Sequence, residues 1–337
     1  KQTEIEVIIR HWYQPLFIQK RWIEDLNILI SQYIIVCIFA VIIIIMIIYA
    51  HIYFKKKKIQ FTDEIFQSNG NKIIAASDDT TIRIWNLYLE KEIQILQGHS
   101  QAVNDAQFSP DGNTIVSCSK DATIRLWDTN FGTEIKKLTG HLDNVTAAQF
   151  SSNGQTVISS SWDKTIRLWN VNSGQEMKQF IGHSERVNDV QFSPDNQLIA
   201  SCANDCTTRI WDVKSGEVIM KFRRGRSIER INFSRDGQSI VLCSDDAIAQ
   251  IKNITSLHIF KKLHYTLVRY VAYSPDGQTI VSCCDNGAIR LLDVALGMEL
   301  QCLNIHTQPV IGVDFSSDGN MIVSASKDKT IRLWKRL

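Results

Sequence analysis

Gly98-His99-Ser100-Gln101-Ala102-Val103-Asn104-Asp105-Ala106-Gln107-Phe108-Ser109-Pro110-Asp111-Gly112 opens a stretch that runs through Lys120-Asp121-Ala122-Thr123-Ile124-Arg125-Leu126-Trp127-Asp128 and begins again at Gly140-His141. Residues 103–108 read as a strand and Ser109-Pro110-Asp111-Gly112 as a tight turn, with Pro presetting φ and Gly relieving strain. Residues 114–119 form the next strand, Lys120-Asp121 turn the chain, residues 123–127 alternate Ile124 and Leu126 against Arg125, and residues 134–138 supply an outer strand.

The pattern repeats. Trp85-Asn86, Trp127-Asp128, Trp169-Asn170 and Trp211-Asp212 recur at intervals of 42 residues. Counting on reaches Lys252-Asn253 after 41, Leu292-Asp293 after 40 and Trp334-Lys335 after 42. Seven units of this length are the period of four-stranded propeller blades.

These residues resemble the WD40 repeat family, the G-protein β-subunit-like propellers, from about residue 59 to the last residue. The resemblance implies an all-β, seven-bladed WD40 β-propeller over 59–337, with repeats at 59–98, 99–140, 141–182, 183–224, 225–263, 264–305 and 306–337. It also implies that the Gly-His histidine, a strand Ser or Thr, the turn Asp and the Trp are hydrogen-bonded within a blade. By position the sets are His99, Asp121 and Trp127; His141, Asp163 and Trp169; His183, Asp205 and Trp211; and His306, Asp328 and Trp334. Three units depart from the pattern. The fifth has Lys252 for Trp and no histidine, the sixth keeps His264 but carries Asn286 and Leu292, and the first has Lys57 where its histidine belongs. The fifth and sixth blades are expected to be the softest.

Composition limits the function. The chain has 37 basic and 35 acidic residues, a net charge of +2, so nothing global draws it to nucleic acid or anionic lipid. His, Asp and Ser together raise the question of a hydrolytic triad. They recur in at least four units, whereas catalysis needs one convergent constellation, so a non-enzyme is expected. Cys118, Cys202, Cys243 and Cys283 share one small-residue strand position and read as reduced packing residues, and no metal-ligand spacing accompanies them. Arg83, Arg125, Arg167, Arg209, Arg290 and Arg332 stand two residues before the Trp position, spread about 51° apart around a ring, and form no nucleic-acid stripe. No cofactor and no metal are expected.

Residues 1–32 read as a helical leader of two short amphipathic helices, Ile5, Ile8, Ile9 and Trp12 before Pro15, and Trp22, Ile23, Leu26, Leu29 and Ile30 after it. Residues 33–54 carry no Asp, Glu, Lys or Arg and are followed by four lysines, which meets the length rule for a transmembrane helix with a cytosolic propeller. A second demand falls on the same residues. The last unit stops after its third strand, and aligning Lys57 with the histidines puts the missing outer strand at 50–55. A helix confined to 33–49 would span roughly 25 Å, short of a core about 30 Å thick. The Ile, Tyr, Phe and Lys bias of this run is also that of a translated AT-rich stretch. Two readings stay open: a membrane-anchored scaffold with a cytoplasmic propeller, and a soluble adaptor subunit of a larger complex. In both, the partners are other proteins.

The resemblance places the binding surface on the face of the Gly-His loops and Ser-x-Asp turns. Between the strand Ser and turn Asp stand Asp78, Lys120, Trp162, Asn204, Asp245 and Lys327, of which Trp162 alone is a large aromatic. Trp162, flanked by Lys120 and Arg186, is the candidate partner contact.

Overall fold

The computed structural model describes residues 50–54, 61–66, 72–87, 91–244, 248–254, 259–264 and 268–335. The expected helical leader at 1–32, the start of the uncharged run at 33–49, and Lys57 lie outside them. Among the described residues no helix is long and apolar enough to cross a membrane.

The described chain forms seven four-stranded antiparallel sheets, each the blade of a propeller. Strands are lettered a to d from the axis outward. The seven a strands are Phe61–Phe66, Val103–Phe108, Val145–Phe150, Val187–Phe192, Ile228–Phe233, Val268–Tyr273 and Val310–Phe315, and each packs beside the next, the last beside the first.

Burial explains the sequence of each strand. The b strands, such as Thr114–Ser119 and Thr156–Ser161, are buried at every position after the first, because neighbouring blades cover both faces. A strand covered on both faces reads as a continuous apolar or small-residue run rather than an alternation. The d strands lie on the rim and bury chiefly their fifth residue, among them Leu138, Phe180 and Phe222. Cys118, Cys202, Cys243 and Cys283 are fully buried in b strands with free thiols, and burial raises the pKa of Cys202 and Cys243, which keeps those two protonated and unreactive.

Strand a is an inner edge with backbone N–H groups turned toward the axis, an open ladder that must be satisfied. Side chains from the preceding blade do this. Gln107 accepts from Phe150 N at 3.1 Å, Gln149 from Phe192 N at 2.7 Å, Asp105 from Ala148 N at 3.3 Å and Asp189 from Ile231 N at 3.0 Å. Burial pushes the Asp189 carboxyl up to about 6 although the Arg230 guanidinium opposes this. Arg230 itself lies over the Tyr270 ring at 5.3 Å, tying the fifth blade to the sixth.

The last blade is built from both ends of the described chain. Ala50–Phe54 pairs antiparallel with Ile331–Lys335, from Ala50 opposite Lys335 to Phe54 opposite Ile331, and supplies its d strand. That strand takes the final five residues of the uncharged run.

The fifth and sixth units differ from the rest at their shared boundary. Leu292 replaces the Trp there and packs with Val241, Ile251 and Val268. On the face opposite the Gly-His loops, Arg235 replaces the turn Pro and Tyr273 the Phe, around a cavity of about 640 Å³. The Tyr273 hydroxyl is buried there with no partner among the described residues. At the preceding boundary Lys252 replaces Trp and holds its ammonium 5.0 Å from the Phe222 ring centroid, where Trp211 meets Phe180 one blade earlier.

A chain beginning at residue 59 lacks the d strand of the last blade and should melt well below the full chain in a thermal denaturation scan. Equal melting temperatures would show that the ring does not depend on this pairing.

Candidate interaction face

Each complete unit carries one hydrogen-bonded chain of four side chains. In the second, Trp127 Nε1 donates to Ser117 Oγ at 2.8 Å, Ser117 Oγ lies 2.8 Å from His99 Nε2, and His99 Nδ1 lies 2.9 Å from Asp121 Oδ2. The same chain joins Trp169, Ser159, His141 and Asp163; Trp211, Ser201, His183 and Asp205; and Trp334, Ser324, His306 and Asp328. Since the indole can only donate and the carboxylate only accept, Trp Nε1–H donates to Ser Oγ and His Nδ1–H donates to Asp. The Ser hydroxyl is sealed beneath the indole, as at Ser159, which is fully buried.

The turn Asp does more than end this chain. Asp121 Oδ1 accepts from Thr123 N at 3.0 Å and Thr123 Oγ1 at 2.6 Å, which holds the b–c turn, while Oδ2 also accepts from Ser100 N at 3.0 Å in the d–a loop. One carboxylate thus joins the two loops that form this face. The turn it holds is strained, with Ala122, Lys164, Cys206, Lys329 and even β-branched Thr80 at positive φ between 63° and 74°. Burial alone would raise the Asp205 carboxyl, but hydrogen bonds from Thr207 and His183 outweigh it and bring the value to about 2. Burial lowers His183 below its ordinary value, against the pull of Asp205.

The variant units have lost this chain in part. In the fifth, Arg224, Leu242, Asp246 and Lys252 stand at the His, Ser, Asp and Trp positions, with Asp246 outside the described residues. In the sixth, Leu292 offers no indole N–H, and Ser282 Oγ is buried without a partner among the described residues. The His264 and Asp245 side chains lie outside the described residues. In the first, Ala75 takes the Ser position beside Asp79 and Trp85.

Four of the arginines two residues before the Trp position brace the c and d strands. Arg83 reaches Glu92 at 2.9 Å and Arg167 reaches Glu176 at 2.5 Å, while Arg125 and Arg290 pair with Glu134 and Glu299. In the fourth blade Val218, opposite Trp211, takes the place of that Glu, and Arg209 lies instead 5.8 Å from the Trp211 ring centroid.

On this framework sits a mouth of about 470 Å³ at the axis, with Lys120, Trp162, Arg186, Arg230, Arg269 and Lys327 among its walls. Trp162 keeps 39% of its surface exposed, and the Arg186 guanidinium stacks 4.8 Å from its centroid. The Asn204 amide, with its oxygen toward that guanidinium, accepts from Arg186 Nε at 2.6 Å and Nη2 at 2.9 Å. Lys120 does not touch Trp162 in any bond described; its ammonium lies 4.0 Å from Asp78.

Sequence reasoning had not found the second tier of this mouth. Every a strand slips its register at its second residue, between Val103 and Asp105 and at the matching place in each other blade. A bulge of this kind re-aims the extra side chain. Six of the seven extra residues, Asn104, Thr146, Asn188, Glu229, Arg269 and Ile311, line the mouth. The signal is the second position of each a strand, polar or charged in every blade but the seventh, where it is Ile311.

Fold and site together define a repeat propeller whose braced loops present a recessed surface at the axis. The chain belongs to the family of the WD domain, G-beta repeat, whose model matches residues 47–86, 90–128, 132–170, 174–212, 255–293 and 297–335. The stretch left unmatched contains the unit with Lys252 in place of Trp. Over 49 residues the chain is 45% identical to eukaryotic translation initiation factor 3 subunit I of Culex quinquefasciatus, covering 14% of this chain and 15% of that protein. Over 50 residues it is 48% identical to WD repeat and SOCS box-containing protein 1 of Xenopus tropicalis, covering 14% and 12%. The chain therefore matches only a small part of the length of either relative.

Two measurements probe the hydrogen-bonded chains. Ser159→Ala leaves the Trp169 N–H and His141 Nε2 unpaired and should cost about 2 kcal/mol in denaturant unfolding, whereas Ser282→Ala should stay within about 0.5 kcal/mol. Equal losses would contradict the distinction between complete and incomplete units. Stability should also fall on acidification. Both folded values are depressed, so the His183 contribution is full above 6.5 and fades below it, and that of Asp205 is full above 3.8 and fades toward about 2. A melting temperature that rises between pH 7 and pH 4 would contradict this.

Proposed function

We propose that this protein is a non-catalytic protein-interaction scaffold that docks partners on the face formed by its Gly-His loops and Ser-x-Asp turns. The observation that carries the reading is Trp162, an aromatic side chain 39% exposed at the edge of the mouth, held by Arg186 and bordered by polar residues. Aromatic and arginine side chains so placed are the residues that dominate binding energy at interfaces. Lys120 sits on the same wall and completes the candidate set of Trp162, Lys120 and Arg186.

The relatives' names support the setting. One is a subunit of a larger factor and the other combines WD repeats with a SOCS box, in keeping with a propeller that serves as an adaptor in an assembly. The seven described cysteines are all free, which fits a reducing compartment such as the cytosol.

Trp162→Ala should weaken partner capture by about 2 kcal/mol without changing the melting temperature. A folded variant that captures its partner as well as the parent protein would place the docking surface elsewhere on the ring.

A further inference from the structure

We propose that the mouth receives an acidic peptide segment, its carboxylates on Lys120, Arg186 and Lys327 and an apolar side chain against Trp162. The proposal rests on the reading of this face as the docking surface and adds the chemistry of the occupant.

The argument is one of charge placement. Five cations line the mouth, Lys120, Arg186, Arg230, Arg269 and Lys327, against the acids Asp78 and Glu229. The whole chain carries only +2, so this excess is local. Two of the five cations are committed to the protein. Arg269 is held by both oxygens of Asp285, at 2.6 and 2.9 Å, and Arg230 covers Tyr270 at 5.3 Å. The other three are exposed. Arg186 spends Nε and Nη2 on a neutral amide, that of Asn204, and so keeps its charge. Lys120 stands 4.0 Å from Asp78 with 47% of its side chain exposed, which leaves the ammonium room for a second anion.

Their order around the ring matters as well. Lys327, Asp78, Lys120 and Trp162 occupy the same turn position in the seventh, first, second and third blades, so two exposed lysines and an aromatic surface follow one another along one side of the mouth. Because the b–c turns are held by their own Asp, as Asp121 holds Thr123, these side chains are carried on fixed backbone. Arg186 covers one face of Trp162 and leaves the exposed remainder for an apolar contact.

A peptide fits better than a nucleic acid. Strand binding uses a continuous basic track with several stacking aromatics. Here Asp78, Glu229 and Asp285 interrupt the cations, and Trp162 is the aromatic at the recess.

The test uses the full chain and a short fluorescein-labelled peptide of alternating Glu and Gly around one central Leu. The controls are the same peptide with Gln for Glu, and a single-stranded oligonucleotide of equal charge. Fluorescence polarisation should show the acidic peptide binding about tenfold or more tightly than the Gln peptide, and weakening as salt rises. The double variant Lys120→Glu/Lys327→Glu should lose about tenfold or more of this affinity at an unchanged melting temperature. Tighter binding of the oligonucleotide, or full affinity in the double variant, overturns the proposal. Absence of acidic-peptide binding while Trp162→Ala still weakens capture of the natural partner overturns the acidic occupant and leaves the docking face standing. Loss of neither would remove the docking face itself.

Discussion

The carboxylate of the b–c turn is the group on which the rest depends. In each complete unit one oxygen holds the turn through a threonine, and the other holds the preceding d–a loop through a histidine and a backbone N–H, as Asp121 does with Thr123, His99 and Ser100. Behind the histidine, Ser and Trp carry the same bond chain into the packing between blades. The loop face and the core that stacks the blades are thus connected through four side chains. Because every group in the chain is satisfied, the strained turn residues at positive φ are held without a competing arrangement.

This arrangement separates rigidity from variation. The Asp and Thr of a turn must be kept, but the residue just before the Asp makes no bond in the chain and is free to vary. Lys120, Trp162, Asn204 and Lys327 show how far it does vary. The bulge residues of the a strands form a second variable tier beneath. Where the bond chain is incomplete, as at Lys252, Leu292 and Ser282, the neighbouring blades carry a buried amine over an aromatic ring, an unpaired hydroxyl and a large cavity.

Much of this was legible in the sequence because a propeller repeats its chemistry. The 42-residue return of Trp85, Trp127, Trp169 and Trp211 points to blades, and Gly-His with Ser-x-Asp locates the face. The substitutions at Lys252 and Leu292 were readable as departures from register, and the family model also leaves the Lys252 unit unmatched. The mouth was not legible in full. Its lower tier depends on a one-residue slip in each a strand, and a period-two alternation cannot reveal which residue is the extra one. Nor could residue spacing show that Gln107, Gln149 and Asp189 reach across to cap backbone N–H groups of the next blade, since that depends on how the sheets stack.

The pairing of Ala50–Phe54 with Ile331–Lys335 has a consequence for synthesis. Six sheets use strands that are consecutive in sequence and can form as the ribosome delivers them. The seventh must wait, because its outer strand emerges first and its partner last. Until then the nascent ring has an unpaired edge and an uncovered apolar blade face, both prone to join another chain. The interval between those two segments is thus the period in which a chaperone has most to protect, and it lengthens as translation slows.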